Sequence, residues 1–120
     1  MKNIKYFTKE EFTCKCGCGL NNINYKLVQQ LDNVRTNFKH PIIIVSGCRC
    51  INHNQQIGGK SNSAHLLGLA VDIKCISSKL RFNLINILLK NKFTRIGISK
   101  TFIHVDIMDD YKKQNVIWVY

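Results

Sequence analysis

Within the run Leu66-Leu67-Gly68-Leu69-Ala70-Val71-Asp72-Ile73, one carboxylate stands among residues that otherwise ask to be buried. A charged group taken out of water without a partner costs several kcal/mol or more. Any fold that buries this run must therefore bring a cation to Asp72. Two kinds of cation answer that need. One is an arginine, for which Arg49 is the plain choice, pairing with Asp72 to brace a loop. The other is a metal ion shared with histidines. Carboxylates are scarce elsewhere: Glu10, Glu11, Asp32, Asp106, Asp109 and Asp110 complete a set of 7, against 18 Lys plus Arg. Each acidic side chain can thus be weighed singly.

A second polar island lies in Phe102-Ile103-His104-Val105-Asp106-Ile107. On a strand, residues i and i+2 share a face. His104 and Asp106 therefore emerge side by side, with Ile103, Val105 and Ile107 packed on the other face. A lone histidine in a strand is more often a hydrogen-bonded core residue than a ligand. His65, seven residues before Asp72, offers a second imidazole. Brought together, His65, Asp72 and His104 would form a three-ligand zinc site with one position left for water. Such a zinc brings the water's pKa to about 7 and polarises a carbonyl. His40, at a helix exit before Pro41, and His53, in a long loop, belong to no such set.

The remaining pattern frames these residues. Phe7-Thr8-Lys9-Glu10-Glu11-Phe12 predicts a short helical turn, with Thr8 as N-cap and Glu11 completing a capping box. Leu27, Val28, Leu31, Val34 and Phe38 recur at helical steps, so residues 24–38 form a helix with one buried face. Pro41 ends it, and Ile42-Ile43-Ile44-Val45 predicts a buried strand. Residues 46–63 hold Gly, Asn, Ser and His without apolar period and read as a long functional loop. Residues 66–73 then form a second strand. Ser77 or Ser78 caps a helix over about 79–91 that buries Leu80, Leu84, Ile87 and Leu88. Residues 95–98 and 102–107 make a hairpin joined by Ser99-Lys100-Thr101, and the apolar tail 116–120 suits an edge strand. The order α, β, loop, β, α, β, β predicts one α+β domain over residues 1–120, a length that suits a single core.

The formal charge of +11 favours polyanionic surroundings such as nucleic acid, anionic lipid or acidic wall polymers. The lysines are scattered, however, without the basic stripe and interleaved aromatics of a nucleic-acid binder. No apolar run reaches the roughly 20 residues of a membrane span. The first residues show no apolar signal core, so synthesis in a cytoplasm with reduced thiols is expected. The six cysteines are Cys14, Cys16, Cys18, Cys48, Cys50 and Cys75. A cluster joining 14–18 to 48–50 would staple the N-terminus to the core, by metal or by disulfide; plain buried thiols are the alternative.

Ser46-Gly47-Cys48-Arg49, Asn54, Gly58-Gly59, Ser63-Ala64-His65-Leu66-Leu67-Gly68-Leu69-Ala70-Val71-Asp72 and His104-Val105-Asp106 resemble the motifs S-G-x-R, N, G-G, S-x-H-x-x-G-x-A-x-D and H-x-D of the M15 peptidases. That family includes D-alanyl-D-alanine carboxypeptidases and phage endolysins that cut L-alanyl-D-glutamate bonds, and it shares its fold with the Hedgehog signalling domain. The resemblance implies a small antiparallel sheet with helices packed on it and a Zn²⁺ held by His65, Asp72 and His104. It implies that Arg49 binds or polarises the substrate and that Ser63 hydrogen-bonds it at the site's edge. Several relatives carry their catalytic acid three residues before the last histidine ligand, where this chain has Thr101. Asp106 is then the expected base, with orientation of a ligand histidine as its other role, and Asp109 and Asp110 are weaker candidates. The resulting expectation is a monomeric zinc metallopeptidase acting on peptidoglycan stem peptides, with neither nucleic acid nor membrane as partner. Without a signal it would reach the wall after release, as a phage-type enzyme does. A non-catalytic, zinc-containing binding module of the same fold is the alternative.

Overall fold

The computed structural model describes residues 1–109 and 112–120. Among these residues three helices, α1 (Tyr25–Phe38), α2 (Ile51–Gln56) and α3 (Ser78–Lys90), accompany five strands. The strands are β1 (Ile44–Ser46), β2 (Ala70–Lys74), β3 (Arg95–Ile98), β4 (Phe102–Asp106) and β5 (Val116–Val119). Short 3₁₀ turns cover Lys9–Phe12 and Ala64–Leu67. The architecture is α+β, as the pattern predicts.

The five strands form one sheet in the order β1-β2-β4-β3-β5. Pairings β1–β2, β2–β4 and β3–β4 are antiparallel, but β5 runs parallel to β3. The expected antiparallel sheet is corrected to a mixed one. The apolar tail marks a strand, but its composition carries no direction, and β5 pairs in β3's own sense.

Alternation then divides the sheet. Val71 and Ile73 of β2, Ile103 and Val105 of β4 and Ile96 of β3 are buried against α1 and α3. From the helices come Leu27, Val28, Leu31, Val34 and Phe38, then Leu84 and Leu88. Leu80 and Ile87 flank that core half-buried. Helix starts are fixed by side chains: Asn24 accepts from the Lys26 and Leu27 amides, and Ser77 from Leu80. Each oxygen satisfies an amide that the first turn leaves without a partner. The box at Thr8 forms as expected, with the Thr8 amide donating to Glu11 Oε2 at 2.7 Å.

Three other local expectations change. Ile42 and Ile44 are buried while Ile43 and Val45 are exposed, because β1 is an edge strand with one face in solvent. The 46–63 loop contains α2, a polar helix whose one buried residue is Asn54, so no apolar period announces it. The second strand begins at Ala70 rather than Leu66. Before it, residues 64–67 turn, and Gly68 takes a left-handed φ of 69° where a Cβ would lie 2.0 Å from the Asn22 carbonyl oxygen. Only glycine meets both demands. No helix among the described residues is long and apolar enough to cross a membrane.

The core predicts its own sensitivity. Leu88 is fully buried and Phe82, on the same helix, is 74% exposed. Leu88→Ala is expected to lower unfolding stability by about 2–5 kcal/mol, and Phe82→Ala by no more than about 0.5 kcal/mol. Urea midpoints at constant slope check both, and comparable losses would mean that α3 packs by another face.

Candidate metal centre

The registers of the sheet assemble the site. Asp72 pairs with Ser46 of β1 on one side and with His104 of β4 on the other. His104 in turn pairs with Gly97 of β3, and Gly97 with Trp118 of β5. Ser46, Asp72, His104, Gly97 and Trp118 thus form one row across the sheet, on the face away from the helices. A Cβ on Gly97 would lie 2.6 Å from Trp118 Nε1, so the absent side chain is what lets the indole lie over the sheet. The indole packs against the His104 ring, with centroids 5.5 Å apart.

His65 enters from the 3₁₀ turn before β2. Ser63 caps that turn by accepting the His65 amide at 3.2 Å. His65 Nδ1 lies 2.7 Å from the Gly47 carbonyl oxygen. A carbonyl only accepts, so Nδ1 carries the proton and Nε2 is left facing Asp72 Oδ1 at 3.3 Å. His104 repeats the arrangement: Nε2 donates to Asp106 Oδ2 at 2.7 Å, and Nδ1 faces Asp72 Oδ1 at 2.9 Å. Both imidazoles are therefore held from behind, the arrangement that fixes tautomer and ring orientation in metal-binding histidines.

Two ring lone pairs and a carboxylate turned toward one point repel unless a cation sits among them. Their ligand atoms lie within 4.8 Å of one another, and all three residues are buried. Zinc bonds of about 2.1 Å to nitrogen and oxygen would set tetrahedral edges near ~3.4 Å. The 3.3 and 2.9 Å separations approach that spacing, and the N, N, O donor set suits the ion. His65, Asp72 and His104 can hold a metal.

The charges around the triad alternate. Burial pushes the Asp72 carboxyl upward, but the His104 and His65 rings set against it hold it well below the usual carboxylate range. Burial likewise raises Asp106, and His104 and Arg95 reverse it. Burial depresses His104, and its two carboxylate neighbours Asp106 and Asp72 bring it above the ordinary 6.5. Arg49 Nη2 stands 3.7 Å from Asp72 Oδ2. Its Nη1 donates to Asn54 Oδ1 at 2.9 Å and its Nη2 to Ser46 Oγ at 3.2 Å. Gly59 admits this cradle, since a Cβ there would lie 2.0 Å from Asn54 Oδ1.

The triad opens on a cleft of about 930 Å³ whose walls include Arg49, His53, Ser63, Phe102, Trp118 and Tyr120. His53, outside any motif, is thus a cleft residue. Thr101 is exposed in the β3–β4 turn and does not line the cleft. Asp109 is exposed and also lies outside the cleft lining, and Asp110 falls outside the described residues.

Asp106 lies behind His104, across the ring from the atom that faces Asp72. Its Oδ1 accepts from Arg95 Nε at 2.7 Å and from the Met108 amide at 3.1 Å, while Oδ2 takes His104 Nε2. Arg95 is the partner the sequence pattern missed. The expected three-residue turn would put it opposite Val105. The Ser99 amide already bonds Phe102 O at 3.0 Å, which shortens the connection and moves Arg95 to Asp106. Trp118 and Tyr120 were also hidden, since a tail strand does not name the face it borders.

A model of peptidase M15 matches residues 5–106. The chain belongs to the peptidase M15 family. M15 peptidases are metallopeptidases, and the His65–Asp72–His104 group is where this one can hold its metal. No curated protein gives a significant match to the sequence.

The buried Asp106 gives this M15 chain an acid-sensitive joint. Its folded pKa is lowered from 3.8, so its stabilising contribution is present above 3.8 and is lost as pH falls through the lower folded value. Asp106→Asn is expected to flatten that acid limb in metal-free protein. At neutral pH it should cost about 3–5 kcal/mol, because Arg95 loses its buried counter-charge. Denaturant midpoints from neutral pH to pH 2 check this, and an unchanged acid limb would place the titration elsewhere.

Proposed function

We propose that this M15 member is a zinc-dependent peptidase that hydrolyses peptide bonds in peptidoglycan stem peptides. The observation that carries the reading is the convergence of His65 Nε2, His104 Nδ1 and the Asp72 carboxylate at the floor of the cleft, each histidine braced from behind. Bound there, zinc supplies Lewis acidity for the scissile carbonyl and a water whose pKa falls to about 7.

The chain's own residues bind and align the substrate. Arg49 has donors beyond those spent on Asn54 and Ser46, and its planar fork matches a peptide carboxylate or carbonyl. Stem peptides end in a carboxylate, which Arg49 would hold beside the metal. Ser63 uses its oxygen to accept the His65 amide and keeps its hydroxyl proton for substrate. Trp118, Tyr120 and Phe102 give one wall an apolar surface that excludes water from the bound peptide. The +11 charge favours residence on an anionic wall.

Asp106 we assign to positioning rather than to taking the water's proton. A general base must come within about 2.6–3.2 Å of that proton's donor, whereas Asp106 is engaged on the far edge of the His104 ring. The same observation favours a second reading, the non-catalytic binding module. Among the described residues, no carboxylate besides Asp72 and Asp106 lines the cleft.

Zinc-loaded protein incubated with purified peptidoglycan should release peptide fragments detectable by mass spectrometry, and His65→Ala should abolish release. Arg49→Ala should raise KM more than it lowers kcat. Asp106→Asn should weaken zinc affinity about 10–100-fold, with activity returning toward wild type as zinc is raised to saturation. Activity that stays lost at saturating zinc would make Asp106 the base after all. No release by the wild type would favour the binding module.

A further inference from the structure

A second group of ligands lies apart from the triad. The sulfurs of Cys14, Cys16, Cys18 and Cys50 all lie within 4.8 Å of one another. Cys14 and Cys16 Sγ are 3.5 Å apart, and Cys16 and Cys50 Sγ 3.7 Å. Tetrahedral zinc with Zn–S bonds of about 2.3 Å sets S···S edges near ~3.8 Å. A disulfide would need about 2.05 Å, and all six cysteines are unbridged. Four mutually adjacent sulfurs single out no pair for oxidation, whereas one tetrahedral ion uses them all.

Backbone amides also converge on these sulfurs. Leu20 donates to Cys18 Sγ at 3.5 Å, Cys50 to Cys14 Sγ at 3.4 Å, and His53 to Cys50 Sγ at 3.3 Å. Such donors offset the charge of metal-bound thiolates and orient them. The other two cysteines stand aside: Cys48 turns to Asn21 Oδ1, and Cys75 is buried in the core. Residues 14–18 fold back on themselves to gather three alternate cysteines, with Gly17 and Gly19 at φ of 89° and 85°.

We propose that Cys14, Cys16, Cys18 and Cys50 bind a second zinc ion in a closed, four-thiolate structural site. The four thiols lose their protons on binding, and no electron moves. The ion joins the N-terminal segment to Cys50, the residue after Arg49. The same segment meets the loop again where the Cys48 amide donates to Phe12 O at 2.8 Å. Gly47 is pressed so closely there that a Cβ would lie 2.7 Å from Phe12 O. Its carbonyl is the acceptor that holds His65. The thiolate site thus fixes the loop that supplies Arg49 and the support of His65, a role that rests on the peptidase reading. The metal site itself does not rest on it.

The full chain, expressed reduced and with zinc, should carry roughly two equivalents of the metal by mass spectrometry. His65→Ala/His104→Ala should keep about one, and Cys16→Ser/Cys18→Ser should lose the thiolate-held one. Cobalt-substituted wild type should show an intense thiolate-to-cobalt charge-transfer band in the near ultraviolet. The band should persist in the histidine variant and vanish in the cysteine variant. Since the His–Asp–His set has no sulfur, the band in wild type alone reports the new site even should a variant misfold. Its absence from metal-loaded wild type would overturn the proposal. So would a Cys16–Cys50 disulfide found by alkylation under non-reducing denaturation of the freshly purified protein. A band without hydrolysis would sink the peptidase reading and leave this one standing.

Discussion

The buried charge of Asp72 is the constraint around which the rest is arranged. It sits in the second strand of the sheet order, between β1 and β4, where water cannot solvate it fully and where the backbone ladder fixes its position. Its oxygens are met by His65 and His104 on one side and approached by Arg49 on the other. Removing any one of these leaves a carboxylate in a low-dielectric site with too few partners, the costly half of a buried ion pair. A metal among the two imidazoles and Asp72 resolves the same conflict with a larger local charge. The site's chemistry and the strand's stability therefore make one demand on the fold.

That demand is met by a line of alternating charge rather than by a single pair. Arg95, Asp106, His104, Asp72 and Arg49 follow one another across the sheet face, each contacting the next. Arg95 also lies over the Trp118 ring at 5.1 Å and donates to Lys113 O at 2.6 Å. The guanidinium is thereby held by an aromatic face, a carbonyl and a carboxylate together. Helix-side packing makes this row possible. With Val71, Ile73, Ile103, Val105 and Ile96 turned to α1 and α3, the alternate positions Asp72, His104, Asp106 and Arg95 are free for the polar face.

Much of this was legible in the chain. The two-residue step from His104 to Asp106 and the apolar residues around it announce a strand with a polar face. The charge of Asp72 in its apolar run announces a partner. What the pattern does not carry is register. Whether Arg95 meets Asp106 or Val105 turns on a single residue in the β3–β4 connection, and a one-residue slip moves every side chain to the other face. The direction of β5 was hidden for a related reason, since Val116-Ile117-Trp118-Val119 would serve either sense. Helix α2 was hidden because its buried residue is Asn54, whose Nδ2 donates to Lys60 O at 2.9 Å. It is polar satisfaction, not apolar periodicity, that holds this helix in place.

Residues 47–50 show how tightly the two ends of the argument are joined. Within four positions the loop offers the Gly47 carbonyl to His65, the Cys48 amide to Phe12, the Arg49 guanidinium to Asp72 and the Cys50 sulfur to the thiol cluster. The Arg49 amide adds a bond to His65 O at 3.2 Å, so His65 is gripped at ring and backbone by the same loop. A loop of this kind, with alternating commitments to opposite sides, cannot shift toward one partner without leaving another. Its position is over-determined, which is what a ligand histidine needs if its lone pair is to meet a metal within a few tenths of an ångström. The N-terminal cysteine segment, far from the triad in sequence, enters that determination through Phe12 and Cys50. Placement of His65 is thus a property of the N-terminal segments and not of the β-strands alone.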